Sequence, residues 1–144
     1  MELQDDVSAD FAVGLAFPES ATVVIIGGEV DIATAPVLRE VLAYAETRHH
    51  GDPASECLVL DFSAVTFIDA SGLGVLAGAA RRSWHCGSRI VLRHPSHTLI
   101  RLLAITNLLG RFEIEPRNAE GADDPEAVAP SAAARRLLAM PVFV

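Results

Sequence analysis

The chain contains no lysine: all eleven basic side chains in its 144 residues are arginine, against nineteen acids, for a net charge of −8. That balance argues against non-specific binding to nucleic acid, which needs cations to neutralise phosphates. The choice of arginine carries no functional reading of its own. No apolar run approaches the ~20 residues that would span a bilayer. The opening Met1-Glu-Leu-Gln-Asp-Asp6 is acidic where a signal peptide would be basic and then apolar, so a cytoplasmic protein is expected. Only two cysteines occur, Cys57 and Cys86, which excludes a disulfide framework. Cys57 opens an apolar run and reads as a small core residue. There are no internal repeats.

About half of the residues are hydrophobic, enough for one domain with its own core. Residues 1–10 read as a loose acidic leader. Phe11-Ala-Val-Gly-Leu-Ala-Phe17 alternates large and small side chains, as a half-buried strand does. Thr22-Val-Val-Ile-Ile26 is apolar without alternation, as a strand covered on both faces, and is expected to end at Gly27-Gly28. Thr34-Ala-Pro36 signals a helix start, a side-chain cap followed by proline in the first turn. Val37, Leu38, Val41, Leu42 and Ala45 then line one helical face, fading by His49-His50. Cys57-Leu-Val-Leu60 with Asp61-Phe62 predicts a buried strand, followed by a short connection anchored by Val65 and Phe67.

From about Ala70 to Ser83 a second helix is expected, with Leu73, Leu76, Ala77, Ala80 and Trp84 on its inner face. Arg89–Leu92 predicts a strand. A third helix runs from Ser96 to about Thr106, with Leu99, Leu102 and Leu103 inward, ended by Asn107 in a left-handed turn. Phe112–Ile114 predicts a last strand. Strands alternating with helices mean a single small α/β domain: a mostly parallel sheet of four to five strands with packed helices over residues 11–116. The Ala- and Pro-rich extension, 117–144, carries a helical pattern from Asp124 to Met140. It reads either as a tail folded back on the domain or as a contact for a partner or a second copy, so a homodimer stays open.

In such a domain the loops after parallel strands gather at the carboxyl edge of the sheet. Glu29, Asp31, Thr34, Asp69 and Ser71 should therefore share one surface. Asp69 fits an N-cap, accepting from the free amides of the first turn, with Ser71 inside that turn. Neither loop holds a histidine or lysine to activate Ser71 as a nucleophile, and Arg81 and Arg82 lie about three turns along the helix. A self-contained hydrolase is thus disfavoured, and a serine without its own base is better suited to be a substrate. Helix-interior glycines each cost roughly 1 kcal/mol relative to alanine, yet Gly72, Gly74 and Gly78 sit here. They let another protein approach closely, or let the helix sit tight on the sheet. Both readings hold if the glycines face opposite ways.

Gly28-Glu-Val-Asp31 with Thr34-Ala-Pro36, then Leu58-Val-Leu-Asp61, Phe67-Ile-Asp-Ala-Ser-Gly-Leu-Gly74 and Leu103-Ala-Ile-Thr-Asn-Leu108, closely resemble STAS domains, the anti-sigma factor antagonists and their relatives. Each piece alone is weak; their order and spacing over residues 11–116 make the signal. The resemblance implies that Ser71 is phosphorylated by an anti-sigma factor that is also an ATP-dependent serine kinase, and reset by a serine phosphatase. It implies a partner-binding surface of Glu29, Asp31, Thr34, Asp69, Ala70, Gly72, Leu73 and Gly74. ATP, metal and catalytic base would belong to the kinase, so no cofactor, no metal and no enzymatic activity are expected of this chain, and no direct contact with nucleic acid. Unphosphorylated, it would hold the anti-sigma factor and release a sigma factor for transcription. Ala70 stands where many relatives have serine, leaving Ser71 as the acceptor, and Asn107 where they often have glycine.

Three rivals remain at this stage. Gly72-Leu-Gly-Val-Leu-Ala-Gly78 spells a G-x-G-x-x-x-G pattern, with Arg93 about where a reader of a 2′-phosphate would stand. Against a dinucleotide enzyme, the preceding strand is expected to end near Phe62, and the chain lacks room for a substrate domain. His85, Cys86, His94 and His97 are zinc-type ligands without a recurring pair. Within the family, a STAS scaffold in a stress-sensing or membrane lipid-transport assembly would carry a serine that is never phosphorylated.

Overall fold

Five strands pair in the order in which the chain makes them. A computed structural model describes residues 11–115; the acidic leader and the C-terminal extension lie outside the described residues. The elements are β1 (Phe11–Ala16), β2 (Ala21–Val30), α1 (Ala35–Gly51), β3 (Cys57–Ile68), α2 (Ala70–Cys86), β4 (Ile90–Arg93), α3 (His97–Ile105) and β5 (Glu113–Glu115), with a 3-10 turn at Leu109–Arg111. β1 pairs antiparallel with β2, and every later pairing is parallel. This is the mostly parallel α/β domain expected.

Successive parallel strands joined by crossovers of one hand place all their helices on one face of the sheet. The main core shows this. Val24, Ile26, Leu58, Leu60, Phe62, Ile90 and Leu92 from the strands meet Leu38, Leu42 and Ala45 of α1, Val75, Leu76, Ala79 and Ala80 of α2, and Leu99 and Leu103 of α3. The alternate strand residues Val23, Ile25, Val59, Ala64 and Val91 form a second, smaller cluster on the other face.

Several local expectations are corrected. β3 does not stop near Phe62 but runs on to Ile68, so Val65 and Phe67 belong to the strand rather than to a connection. β2 continues through Gly27-Gly28 as a bulged strand to Val30, with Gly28 at φ 84°, a backbone that glycine tolerates best. Thr34 occupies the N-cap position of α1, with proline following, but its side chain makes no cap hydrogen bond. Trp84 is 70% exposed instead of facing inward: the buried stripe of α2 runs through Ala79, Ala80 and Ser83 and leaves Trp84 on its flank, where Arg111 lies over its ring at 5.1 Å. Asn107 does adopt the left-handed turn, at φ 62°, and Ser96 caps α3 through Leu99 N–H.

At the amino edge of the sheet, His49 at the end of α1 is buried. Its Nδ1 lies 2.7 Å from Ser55 Oγ and its Nε2 3.0 Å from Ser88 Oγ, tying together the turns before β3 and β4. Burial, and then the neighbouring His50, lower its pKa from the ordinary value, opposed by Asp52.

Candidate functional site

The carboxyl edge of the sheet brings together the two loops picked out in the sequence. β2 and β3 are paired up to Val30 and Ile68, and Asp69 N–H then donates to Val30 C=O at 3.1 Å. The two loops are therefore held by a backbone bond at the point where both leave the sheet.

The β2–α1 loop is tied on itself. Asp31 Oδ1 accepts from Ala33 N–H at 2.9 Å and Thr34 N–H at 3.1 Å. The Thr34 hydroxyl donates to Glu29 C=O at 2.8 Å and accepts from Asp31 N–H at 2.9 Å. This explains why Thr34 does not cap α1: its hydroxyl is spent inside the loop, and the side chain is buried. Thr34 fixes the loop from within, while Glu29 is exposed and Asp31 half-buried at its surface.

At the second loop, β3 turns directly into α2. Asp69 caps the helix as expected, its Oδ1 accepting from Ser71 N–H at 2.8 Å and Gly72 N–H at 3.4 Å. Ala70 is exposed, and Ser71 and Leu73 are half-buried, with Leu73 packed against the main core. Among the described residues no base accompanies Ser71 and its hydroxyl makes no hydrogen bond. The side chain is reachable but chemically unassisted.

The glycines divide between the two readings. A Cβ on Gly72 would sit 2.5 Å from Ile68 Cγ1 and 2.9 Å from Val30 Cγ1, so this glycine lets α2 lie tight on the sheet. A Cβ on Gly74 would meet nothing within 4 Å, so its absence leaves the outer surface bare. Gly78 would touch only the end of the Arg82 side chain.

Two large apolar residues on this edge stand outside the surface expected from the sequence. Ile32, in the loop between Asp31 and Ala33, is 78% exposed, and Phe67, next to Glu29 in the strand register, is 51% exposed. An isoleucine inside a polar, tightly bonded loop was the available signal for the first. The second was masked by treating Phe67 as an anchor. Together they add an apolar rim to a surface of three carboxylates, Glu29, Asp31 and Asp69, none of which joins the three described ion pairs.

The extension of β3 to Ile68 removes one objection to a dinucleotide site, since the strand does turn straight into a Gly-rich helix. Other features weigh against it. Asp69 occupies the first-turn amides and puts a negative charge where a pyrophosphate would need donors. The parallel strands follow one another in a single direction, with no switch point to open a crevice. Arg93 bonds Glu115 at 2.8 Å. Among the described residues no three His, Cys, Asp or Glu side chains gather in a metal-binding group, and no helix is long and apolar enough to cross a membrane.

Comparison with known proteins agrees with this geometry. The STAS domain model matches residues 13–121. The anti-sigma-B factor antagonist of Listeria monocytogenes is 34% identical over 98 residues, 68% of this chain and 80% of that protein. Its Bacillus subtilis counterpart is 34% identical over 96 residues, 67% of this chain and 83% of its own length. A crystal structure of an anti-sigma factor antagonist from Mycobacterium paratuberculosis superposes with a TM-score of 0.59 at 26% identity, over 83% of this chain and 95% of the other. With the sheet order, the capped Asp-Ala-Ser-Gly turn and these matches in agreement, the chain belongs to the STAS domain family.

Proposed function

We propose that the protein is an anti-sigma factor antagonist whose binding is switched by phosphorylation of Ser71. Unphosphorylated, it docks its carboxyl edge on an anti-sigma factor that is also a serine kinase, and the sigma factor is released for transcription. The kinase transfers the γ-phosphoryl group of ATP to Ser71 Oγ, supplying metal and base itself, and the modified protein dissociates. A serine phosphatase restores the binding form. The chain works in the bacterial cytoplasm as substrate and ligand, not as catalyst.

The observation that carries this reading is the state of the α2 N-terminus. A helix start ordinarily welcomes a phosphate through its free amides. Here Asp69 already accepts from the amides of Ser71 and Gly72. A phosphate on Ser71 would add about −1.5 to −2 charges near neutral pH. It would stand beside Asp69, whose carboxylate already accepts from the Ser71 amide, on the same edge as Asp31. With those two amides already taken, the charge is presented to whatever is docked on the edge. Glu29, Asp31 and Asp69 supply the charge that a cationic partner surface would match. Ile32 and Phe67 supply the apolar contact, and Gly74 the clearance.

Affinity capture from native lysate with wild type, Ser71→Ala and Ser71→Asp as baits tests this. An ATP-binding kinase retained by the alanine bait and lost from the aspartate bait is expected. Identical retention by all three, with no phosphate on residue 71 of the wild type, would mean a constitutive scaffold instead.

A further inference from the structure

Ser71 opens α2 without a base; just past the other end of that helix, Ser88 has one. Ser88 is half-buried and lines a pocket of about 210 Å³ at the amino edge of the sheet. Its Oγ lies 3.0 Å from Nε2 of His49, and Nδ1 of the same ring lies 2.7 Å from Ser55 Oγ. Ser55 Oγ is in turn 3.2 Å from the buried Thr22 hydroxyl. With the ring proton on Nδ1, Ser55 accepts it and donates its own to Thr22. Nε2 is then left to accept from Ser88. A nucleophile, a base and an orienting group thus stand within hydrogen-bond reach of one another. Burial, and then His50, lower the pKa of His49 against the opposing Asp52, so the ring is neutral near pH 7, as a base must be.

The rest of the pocket suits an anionic acyl donor. Ala80, Ile90 and Phe112 give it apolar sides. Arg89 and Arg111 also line it. Arg89 bonds Glu113, whereas Arg111 lies over Trp84 and joins none of the three described ion pairs. We propose that Ser88 is an acyl-acceptor site, modified by a short-chain acyl phosphate. Ser88 Oγ attacks the carbonyl carbon and its proton passes to His49 Nε2. The bond from that carbon to the phosphate oxygen breaks, and the phosphate leaves with the electron pair and takes the proton from His49. An ester on Ser88 and inorganic phosphate are the only products. The two arginines supply cations for the donor and the departing phosphate. The pocket is smaller than the ~300–1,000 Å³ of drug-sized sites, which limits the acyl group to a few carbons. The chain has no lysine, so no side-chain amine competes for it. Once acylated, Ser88 has no hydroxyl proton to give Nε2, and the tie that His49 makes between the turns before β3 and β4 is undone.

Acetyl phosphate is the probe. The purified full chain is incubated with it, folded and in urea, and acetylation at residue 88 is followed by mass spectrometry with fragmentation. A positioned general base contributes about 10²–10⁴-fold. The folded chain should therefore acetylate Ser88 about a hundredfold faster than the unfolded one, and His49→Gln should lose that advantage. If His49→Gln fails to fold by circular dichroism, Ser55→Ala, which removes the orienting hydroxyl, must slow the reaction about tenfold or more. A folded chain no faster than the unfolded one overturns the proposal, as does a folded His49→Gln as fast as wild type. So does acetylation of another serine or of the terminal amine in place of residue 88.

Discussion

Substituting alanine at Gly72 and at Gly74 should move stability in opposite directions, although the two sites are half a turn apart in one helix. Either change gains up to about 1 kcal/mol from helix propensity. At Gly74 nothing offsets that gain, since the new methyl meets no atom within 4 Å. At Gly72 it arrives 2.5 Å from Ile68 Cγ1 and 2.9 Å from both Ile68 Cδ1 and Val30 Cγ1, against an optimum of about 3.5–4.0 Å. Both neighbours are β-branched and stiff at χ1, both are buried, and both sit at the ends of paired strands. Overpacking of this kind costs about 1–3 kcal/mol, and the poor freedom of these neighbours argues for the upper end. Gly72→Ala should therefore lose about 2 kcal/mol and Gly74→Ala gain up to about 1. For a domain of this size that is a melting temperature lower by roughly 6 °C and higher by roughly 3 °C. Urea unfolding of the two variants beside wild type measures it. Shifts of the same sign would refute the division of the glycines between core and surface. The functional counterpart is that Gly74→Leu should remain folded yet bind the kinase poorly.

Asp69→Ala should cost about 0.5–2 kcal/mol in urea unfolding, because it removes the acceptor for two first-turn amides. The freed amides should then donate to a phosphate, so phosphorylated Ser71 should stabilise the Asp69→Ala domain more than the wild type. Ile32→Ala should leave the melting temperature nearly unchanged, the side chain being largely exposed, while weakening kinase binding in calorimetry. His49 has a lowered pKa in the fold. Above about pH 6.5 it is neutral both folded and unfolded and contributes no pH dependence. Below that the unfolded chain takes up the proton first, so stability falls with pH until the lowered folded value is passed. Between about pH 7.5 and about pH 5 the wild type should thus lose more stability than His49→Gln.

The strand and helix order was legible because buried strands and amphipathic helices leave different apolar periods, and both are strong here. Asn107 was readable from side-chain chemistry alone. The errors share a cause: each needed a contact from elsewhere in the chain. β3 extends past Phe62 because β2, bulged at Gly28, stays paired with it to Ile68. Without the partner strand, Ser63-Ala-Val-Thr-Phe67 has the mixed composition of a connection. Thr34 looked like a cap because cap residue and proline stood in order. Its hydroxyl turned instead to Glu29 C=O, a bond that depends on how the loop folds back. Trp84 is one four-residue step from the buried Ala80, yet the face of α2 that packs inward continues through Ser83 instead. At the site, the carboxylates and Ser71 could be placed on one edge from topology. The apolar rim of Ile32 and Phe67 could not, since exposure of a large side chain is a property of the finished surface.

Phosphotransfer followed by binding tests the central claim most directly. The purified full chain and the kinase captured with it are incubated with ATP and magnesium. The peptide containing residue 71 is examined by mass spectrometry, and the affinity of the pair is measured before and after modification. A single phosphate on Ser71, absent in Ser71→Ala, with loss of binding on its addition, is the predicted result. A phosphate elsewhere in the chain, or an affinity indifferent to a phosphate on Ser71, would contradict it.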